Sequence, residues 1–210
     1  MNNTINTSNS KFWDDCYKSG NIGWDLGKPT PIFNNWILNQ KEKYKICILG
    51  SGYGWDAINF ALYGHSVTAV DFSKAAIDVL SKNAIKKRII IDILHENIFN
   101  LDKIYDSEFD IVLEYTCFCA INPNDRSKYI NIVSSILKDN GRLVAIFFPL
   151  DKKISEGGPP YGVDIHNTLI LFNKYFNLEV IENSNLSIKP RLNREKFVIL
   201  RKNGNSYTSK

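Results

Sequence analysis

The stretch KICILGSGYGWDAINFALYGHSVTAVD, residues 45–71, decides the fold. Its apolar runs at residues 45–50 and 65–71 each predict a buried strand. Between them, residues 55–64 predict a helix that ends at Gly64. Strands that are apolar along nearly their whole length are typical of a parallel sheet covered on both faces. The stretch therefore predicts a strand–helix–strand unit of an α/β protein.

The same alternation continues to the end of the chain. The predicted elements are a helix at 73–87 with Ser73 as its cap, strands at 88–94 and 109–118, a helix at 125–138, a strand at 142–150, a helix at 164–176, and strands at 178–183 and 196–202. The last two strands leave no room for a crossover helix between them, so we expect them to pair as a hairpin. The predicted fold is a doubly wound, Rossmann-like, mostly parallel seven-stranded sheet with one antiparallel strand.

Length and composition indicate one globular domain. The chain has 210 residues, of which 44% are hydrophobic and 23% charged, which is typical of a single soluble domain. We expect that domain to span residues 10–203, with disordered tails at 1–9 and 204–210. Two helices predicted near residues 10–18 and 30–39 precede the first strand and form an N-terminal lid at 10–40.

Charge and cysteine usage limit the partners. The net charge is +4, but the Lys and Arg residues are scattered rather than concentrated on one face, which argues against nucleic acid binding. No apolar run is long enough to cross a membrane, and the N-terminus lacks a signal core. The four cysteines have neither disulfide nor zinc spacing, so we expect reduced thiols, a cytoplasmic monomer and no metal.

A glycine loop follows the first predicted strand. Its sequence, GSGYG at residues 50–54, lacks the G-x-G-x-x-G spacing of dinucleotide-binding folds. Asp71 ends the second strand, where a carboxylate can accept hydrogen bonds from both ribose hydroxyls of a nucleoside. The structural alternative is a tight turn with Asp71 capping the next helix. Together with the closing hairpin, loop and carboxylate predict S-adenosylmethionine as the cofactor.

A polar exit follows the third strand, at residues 96–99. Such folds hold adenine there, with Asn97 positioned to bond the exocyclic amine and Ile98 to pack on the ring. A polar turn followed by one core residue is an equally good interpretation of these residues.

Three segments around the glycine loop resemble one known family. They are FWDDCYKSGNIGWDLGKPTP at 12–31, LEYTCFCAINPNDRSKY at 113–129 and GGPPYGV at 157–163. In this order they resemble the thiopurine methyltransferase-like superfamily, and within it the thiol and halide methyltransferase branch. The resemblance covers about residues 11–201.

The resemblance implies a class I methyltransferase that transfers a methyl group from S-adenosylmethionine to a small soft nucleophile: sulfide, a small thiol, thiocyanate or a halide ion. The residues that match the family's cofactor contacts are Trp13, Tyr17, Trp24, Gly50, Gly52, Asp71, Asn97, Ile98 and Tyr115. The chain departs from the family at Asn97, where Asp is usual, and at Cys117, which replaces a common Phe.

The chemistry suits these residue types. Methyl transfer from a sulfonium is an in-line displacement, which requires alignment and exclusion of water more than a strong base. Aromatic faces attract a desolvated cation, so Trp13, Tyr17, Trp24 and Tyr115 can surround the sulfonium. The alternative is that they fill the core beneath the lid.

Three residues are predicted on the acceptor side. Tyr115, a water or Arg126 could favour the thiolate form of a thiol acceptor. Arg126 could equally be a solvated residue in the first turn of a helix. Tyr161 is predicted to face the cleft from the GGPPYGV segment.

The Pro-Pro-Tyr triplet at 159–161 also resembles the signature of enzymes that methylate amino groups on DNA bases. That signature needs Asp or Asn before the first proline, directly after the fourth strand. Here Gly158 precedes the triplet, which follows the fifth strand instead. DNA methylation is therefore disfavoured.

Two alternatives to the small-nucleophile methyltransferase remain open: a methyltransferase for an aromatic thiol or another small O or N acceptor, and a cofactor-binding sensor without turnover.

Overall fold

Seven strands form a single sheet in the computed structural model, which describes residues 7–204. The strands are β1 (Lys45–Leu49), β2 (Ser66–Asp71), β3 (Asp92–His95), β4 (Phe109–Tyr115), β5 (Leu137–Phe147), β6 (Phe176–Glu182) and β7 (Lys196–Lys202). Their order across the sheet is β3-β2-β1-β4-β5-β7-β6. The first five are parallel, and β7 is antiparallel to both β5 and β6. The predicted fold class and the closing hairpin are confirmed.

Helices cover both faces of this sheet. They are α1 (Ser10–Ser19), α2 (Pro31–Leu38), α3 (Trp55–Leu62), α4 (Lys74–Lys87), α5 (Arg126–Ile136) and α6 (Ile165–Phe172). Side chains of α2, α3 and α4 pack in one hydrophobic cluster with β1, β2 and β4. Those of α5 and α6 pack in the other, against β4, β5 and β7. The two clusters account for the apolar strands that the sequence shows.

Local signals fix the helix ends. The hydroxyl of Ser73 accepts a hydrogen bond from the N–H of Ala76 and so caps α4, as predicted. Pro31 occupies the first turn of α2, where its missing N–H costs nothing. Gly20 ends α1 in the left-handed conformation with φ 75°.

The predicted boundaries of the third and fourth strands are wrong. The third strand was predicted at 88–94 but begins at Asp92, because Arg88 is the left-handed C-cap of α4 and residues 89–91 lead away from it. The fourth was predicted at 109–118 but ends at Tyr115. Thr116 has φ 61°, and a 3-10 helix, Phe118–Ala120, follows. The apolar residues after Tyr115 are buried as a turn rather than as strand.

The fifth strand begins earlier than predicted. Its assignment starts at Leu137 rather than 142, because Leu137 pairs with Phe109 before the register shifts and Ile111 pairs with Arg142. The residues in between form a bulge in which Asn140 has φ 62°. The predicted helix end at 138 moves back accordingly to Ile136.

The N-terminal segment packs against the sheet's carboxyl end. Asp14 of α1 accepts hydrogen bonds from the Ser73 hydroxyl at 2.6 Å and the Ala75 N–H at 3.0 Å, which ties α1 to the start of α4.

Of the tails predicted at 1–9 and 204–210, only residues 7–9 and 204 are described. Thr7 is buried and Asn9 caps α1. No helix within residues 7–204 is long and apolar enough to span a membrane.

Candidate active site

A cavity of about 660 Å³ opens where β1, β2, β3 and β4 end. Its wall is formed by Thr7, Ser8, Phe12, Trp13, Cys16, Tyr17, Asn21, Gly23, Trp24, Gly50, Asp71, Phe72, Asn97, Ile98, Phe99, Thr116, Cys117, Cys119, Ala120, Ile121, Asn122, Asp125, Phe148, Pro159, Pro160, Pro190, Arg191 and Arg194. This is the place and size expected of a ligand site in an open α/β sheet. We call it the main cavity.

All three glycines of the loop after β1 have positive φ: 64° at Gly50, 54° at Gly52 and 78° at Gly54. Each also meets a close neighbour. A Cβ on Gly50 would lie 3.2 Å from the Cys117 sulfur, and one on Gly52 would lie 3.0 Å from the Tyr17 hydroxyl oxygen. The glycines therefore let the loop lie against both the lid and the turn after β4.

Asp71 is buried in the wall of the main cavity. One carboxylate oxygen accepts from the Gly52 N–H at 2.8 Å and the other from the Ser73 N–H at 2.9 Å. Burial raises the pKa of this carboxyl to about 6, against those two hydrogen bonds. The structural alternative is therefore present, because the carboxylate holds the loop and the start of the next helix. Its oxygens keep lone pairs that a ligand could use.

The segment after β3 lines the same cavity. Asn97 uses its side-chain oxygen to accept from the Phe99 N–H at 3.0 Å and caps a 3-10 helix, Ile98–Lys103. Glu96 accepts from the Asn97 N–H at 2.7 Å. The polar turn that we weighed as an alternative is thus present, and Asn97 and Ile98 both also reach the cavity wall.

The lid contributes an aromatic group to the cavity. The Trp13 and Trp24 rings meet edge to face at 5.4 Å, and the Tyr17 and Trp24 rings at 5.6 Å. The Trp24 indole N–H donates to the Tyr17 hydroxyl at 3.3 Å. The three residues predicted from the lid therefore lie together on one side of the main cavity.

Tyr115 lies elsewhere than predicted. It lines a smaller cavity of about 70 Å³ behind the glycine loop, which shares Tyr17, Trp24, Gly50 and Thr116 with the main cavity. Its hydroxyl donates to Glu195 at 2.9 Å. Burial raises the pKa of this phenol well above its ordinary value, so the hydroxyl stays protonated.

Arg126 is buried, so the solvated alternative is wrong. Its guanidinium lies 4.5 Å from the Phe118 ring centroid and donates to the Gly162 carbonyl at 3.0 Å. It is not among the described residues that line the main cavity, although Asn122 and Asp125 just before it are. Arg126 therefore joins the turn after β4 to the later loop.

The Pro-Pro-Tyr segment presents its prolines to the cavity. Pro159 and Pro160 line it, whereas Tyr161 does not belong to the described lining. The Tyr161 N–H donates to the Cys119 carbonyl at 2.7 Å. Its ring lies so close to Gly158 that a Cβ there would be 2.5 Å from it. The ring thus folds back on its own loop instead of pointing into the cleft.

Glu114, which was not predicted from the sequence as a site residue, holds the turn after β4. Its carboxylate accepts from the Phe118 N–H at 2.8 Å and from the Tyr129 hydroxyl at 2.9 Å. Cys117 and Cys119 lie in this turn and line the main cavity. Burial raises the pKa of Glu114 to about 7.

Glu114→Gln is expected to change how stability depends on pH. Because the folded-state pKa lies above the ordinary value, the folded protein binds more protons than the unfolded chain between about pH 4.5 and 7, and the wild type loses stability as the pH rises through that range. Glutamine keeps the shape without the charge. Relative to the wild type, the variant's free energy of unfolding should increase by about 1–3 kcal/mol as the pH rises from 5.5 to 8. Urea unfolding at both pH values measures this, and parallel curves would contradict the assignment.

Two arginines near the other end of the chain also line the main cavity, and neither was predicted from the sequence. Arg191 is only 4% exposed, and its guanidinium lies 4.9 Å from the Tyr115 ring centroid and 5.1 Å from that of Phe148. Its Nη2 donates to the Trp24 carbonyl at 2.9 Å. Arg194 is more exposed and pairs with Asp151 at 2.7 Å.

Within residues 7–204, no three His, Cys, Asp or Glu side chains come together in a way that could hold a metal ion. Cys16, Cys47, Cys117 and Cys119 are all free thiols.

Comparison with known proteins gives a consistent result. The sequence model of the thiopurine S-methyltransferase family matches residues 8–208. Probable thiol methyltransferase 2 of Arabidopsis thaliana is 28% identical over 92% of this chain and 85% of its own. Thiocyanate methyltransferase 1 of Brassica oleracea is 26% identical over 88% and 82%.

Solved structures agree on the fold. The 1,6-didemethyltoxoflavin-N1-methyltransferase of Burkholderia thailandensis, solved with bound 1,6-didemethyltoxoflavin and S-adenosylhomocysteine, superposes with a TM-score of 0.75 at 17% identity. The match covers 92% of this chain and 87% of that one. A TehB-like S-adenosylmethionine-dependent methyltransferase of Corynebacterium glutamicum gives 0.65 at 16% identity, covering 94% and 100%.

Proposed function

Because this chain belongs to the thiopurine S-methyltransferase family and is an S-adenosylmethionine-dependent thiol methyltransferase, we propose that its acceptor is a small soft nucleophile: sulfide or a small thiol, thiocyanate, or a halide ion. The runner-up is an aromatic thiol or another small acceptor that reacts through oxygen or nitrogen.

The observation that carries the proposal is the make-up of the cavity wall. As far as residues 7–204 describe it, the main cavity has no histidine or lysine in its lining. Its carboxylates are Asp71, which two backbone N–H groups already hold, and Asp125. A hydroxyl or amine acceptor gains from a positioned base, whereas a thiolate or halide is nucleophilic as it stands.

In this proposal the cofactor occupies the side of the main cavity formed by the loop and the lid. Asp71 accepts from the ribose hydroxyls, Asn97 and Ile98 hold the adenine, and Gly50 and Gly52 allow the loop to approach. The aromatic group of Trp13, Tyr17 and Trp24 faces the sulfonium. S-adenosylmethionine supplies the methyl group and the positive sulfur that makes it a good leaving group.

The other predicted residues act indirectly, through the segments and side chains that they hold in place. Arg126 and Tyr161 hold the turn after β4 against the Pro-Pro loop, through the Gly162 and Cys119 carbonyls. Tyr115 lies beneath the Arg191 guanidinium and supports it. We propose that Arg126, Tyr161 and Tyr115 in this way help to align the acceptor with the methyl group and to exclude water. We further propose a cytoplasmic location, because four free thiols suit a reducing compartment. We also propose that the protein is a monomer.

Trp24→Leu is expected to weaken S-adenosylmethionine binding about tenfold more than S-adenosylhomocysteine binding. The two ligands differ by the methyl group and by the positive charge on sulfur, which an aromatic face attracts by about 0.5–2 kcal/mol. Calorimetric titration with both ligands measures the difference. Trp36→Leu is the control, because Trp36 packs on Phe60 outside the main cavity. Equal losses for the two ligands in Trp24→Leu would show that the ring packs but does not recognise charge.

An acceptor panel tests the proposed function. S-adenosylhomocysteine formation reports transfer to any acceptor, so one assay can compare hydrosulfide, methanethiol, thiocyanate, iodide, thiophenol, a phenol and an amine. We expect turnover with the first four and little with the last two. Turnover with thiophenol alone would favour the runner-up. Saturable cofactor binding without turnover on any acceptor would favour the sensor.

A further inference from the structure

Three helices end together at the end of the sheet opposite the main cavity. The chain enters β1, β2 and β3 from α2, α3 and α4, and these strands are parallel. The C-terminal ends of the three helices therefore lie at the amino ends of the strands, and α3 packs against both of the others. The Lys43 Nζ donates to the Tyr63 carbonyl at 2.6 Å, which joins the segment after α2 to the end of α3. We call the surface formed by residues 38–43, 62–64 and 82–92 the amino-end surface.

Each of these helix ends exposes large aliphatic side chains. Leu38 and Leu62 are both 55% exposed, Ile85 is 77% exposed and Ile90 is 96% exposed. Ile85 and Ile90 are the most exposed of the large hydrophobic residues within residues 7–204. Single exposed hydrophobic residues are common on globular proteins, but several at one end of the molecule mark a surface that binds a partner.

The turn after α4 fixes Ile90 on the outside. Arg88 is left-handed with φ 55°, and the Ile89 N–H donates to the Ala84 carbonyl at 3.0 Å, which ends the helix. Ile91 then packs in the same hydrophobic cluster as β1 and β2. Its neighbour Ile90 faces away from that cluster and stays outside the sheet. The exposure of Ile90 is therefore a consequence of the way the turn closes α4.

Positive charge surrounds these side chains. The exposed cations of the same segments are Lys41, Lys82, Lys86, Lys87 and Arg88, none of which forms an ion pair within residues 7–204. The exposed carboxylates there are Glu42 and Asp92. The sequence scatters these cations over two segments, and the fold brings them to one end of the molecule.

Cation and apolar group also alternate on one face of α4. Lys82, Ile85 and Lys86 are spaced i, i+3 and i+4, so they lie side by side on the helix. Lys86 and Lys87 suit the negative end of the helix dipole as well, but that role does not account for the exposed isoleucines. Aliphatic side chains bordered by lysines are typical of a surface that lies on a membrane.

We propose that the amino-end surface binds an anionic lipid membrane, with its aliphatic side chains at the boundary of headgroups and acyl chains and its cations among the lipid phosphates. Leucine and isoleucine suit acyl chains better than nucleic acid bases, which stack on aromatic rings. A lipid surface also accepts side chains from separate helix ends without requiring a matching shape. The proposal does not rest on the proposed function, needs no segment that crosses the membrane, and leaves the main cavity open to solvent.

Sedimentation of the wild type with vesicles tests the proposal. The protein should bind equimolar phosphatidylserine–phosphatidylcholine vesicles about tenfold or more tightly than pure phosphatidylcholine vesicles, because only the former carry the matching charge. Raising the salt concentration should release it, since exposed charges are screened. Equal binding to both kinds of vesicle, or none to the phosphatidylserine vesicles at low salt, would overturn the proposal.

Two double variants separate the charge from the apolar contribution. Lys86→Ser with Lys87→Ser should weaken binding to the phosphatidylserine vesicles about tenfold or more, since each lysine near an anionic surface contributes about fivefold. Ile85→Ser with Ile90→Ser should weaken it by a similar factor, because both side chains lose their burial in the membrane. Wild-type binding by the isoleucine variant would reduce the surface to charge alone and overturn the proposal.

The matched control is Lys153→Ser with Lys189→Ser. Both lysines are exposed and lie in loops at the cavity end of the sheet, so this variant loses the same charge from the opposite end of the molecule. It should bind the vesicles nearly as the wild type does, and equal losses in the two lysine variants would overturn the proposal. All substituted side chains are exposed, and circular dichroism verifies that the variants fold.

Polyanions without acyl chains test the other occupants. Duplex DNA and polyglutamate are compared with the phosphatidylserine vesicles at equal concentration of negative charge, and both should bind the wild type more weakly. Tighter binding of duplex DNA would assign the amino-end surface to nucleic acid, and tighter binding of polyglutamate would assign it to an acidic polypeptide. Either result would overturn the proposal.

Discussion

Replacing Asp71 with asparagine is expected to weaken S-adenosylmethionine binding by about 100-fold or more. A carboxylate accepts hydrogen bonds on both oxygens, and each bond to a charged group contributes about 1.5–3 kcal/mol. Two such bonds to ribose hydroxyls exceed the 2.7 kcal/mol that corresponds to 100-fold. Asparagine also turns an N–H₂ group toward either the Gly52 or the Ser73 N–H, which disturbs the loop itself.

The matched control for this change is Asp110→Asn. Asp110 is also a carboxylate that accepts from a backbone N–H, that of Lys45 at 2.7 Å, but it lies at the opposite ends of β1 and β4. We expect that variant to lose some stability and to keep wild-type cofactor affinity. Calorimetry or equilibrium dialysis measures both variants. Unchanged affinity in Asp71→Asn would show that the ribose is held elsewhere.

Protonation offers the same test without a mutation. The pKa of Asp71 in the free protein is about 6 because the carboxyl is buried. A neutral carboxyl accepts on fewer lone pairs, so cofactor affinity should fall as the pH drops below 6 and should be level above it. Asp14 and His95 lie near enough to influence this titration. The pH dependence should be absent in Asp71→Asn.

Gly54→Ala is expected to destabilise the fold by about 2–5 kcal/mol. Gly54 has φ 78°, where an L side chain costs about 1–2 kcal/mol. The added Cβ would also lie 2.5 Å from Cγ of Leu80, a fully buried residue of α4. Overpacking of a filled core adds about 1–3 kcal/mol. Thermal or urea unfolding measures the sum.

Gly27→Ala separates these two contributions. Gly27 has φ 65°, but a Cβ there would meet nothing within 4 Å. We expect Gly27→Ala to lower the free energy of unfolding by the backbone contribution alone, about 1–2 kcal/mol. If the two alanine variants were equally stable, the contact between the glycine loop and α4 would be looser than the structure indicates.

The elements around the glycine loop could be predicted because their signals are local. Apolar runs at β1 and β2, glycines in the turn between them and Asp71 at the strand end stand within residues 45–71. The lid aromatics were found by resemblance, and the structure brings them to the same cavity. The hairpin followed from the short connection between β6 and β7.

Strand ends could not be predicted from hydrophobicity alone. Residues 116–120 are as apolar as the strand before them. The strand nevertheless ends, because the Glu114 carboxylate accepts a hydrogen bond from the Phe118 N–H and Thr116 takes a left-handed conformation. A buried turn and a buried strand have the same composition. This is why the fourth strand was predicted to run to residue 118.

The acceptor side was the hardest part to predict because it depends on distant contacts. Arg191 bonds the carbonyl of Trp24, which precedes it by 167 residues. Nothing near Arg191 in the sequence marks it as buried. Tyr161 shows the reverse error, since its motif suggested a role in the cleft and its ring folds back against Gly158.

The most direct test of the account uses S-adenosylmethionine with a deuterated methyl group and hydrosulfide as the acceptor. Headspace mass spectrometry should detect methanethiol that carries three deuteriums, formed in equal amount with S-adenosylhomocysteine and only with active protein. Thiocyanate and iodide should likewise give labelled methyl thiocyanate and methyl iodide. A protein that binds the cofactor saturably yet releases no labelled product from any of these acceptors would contradict the account.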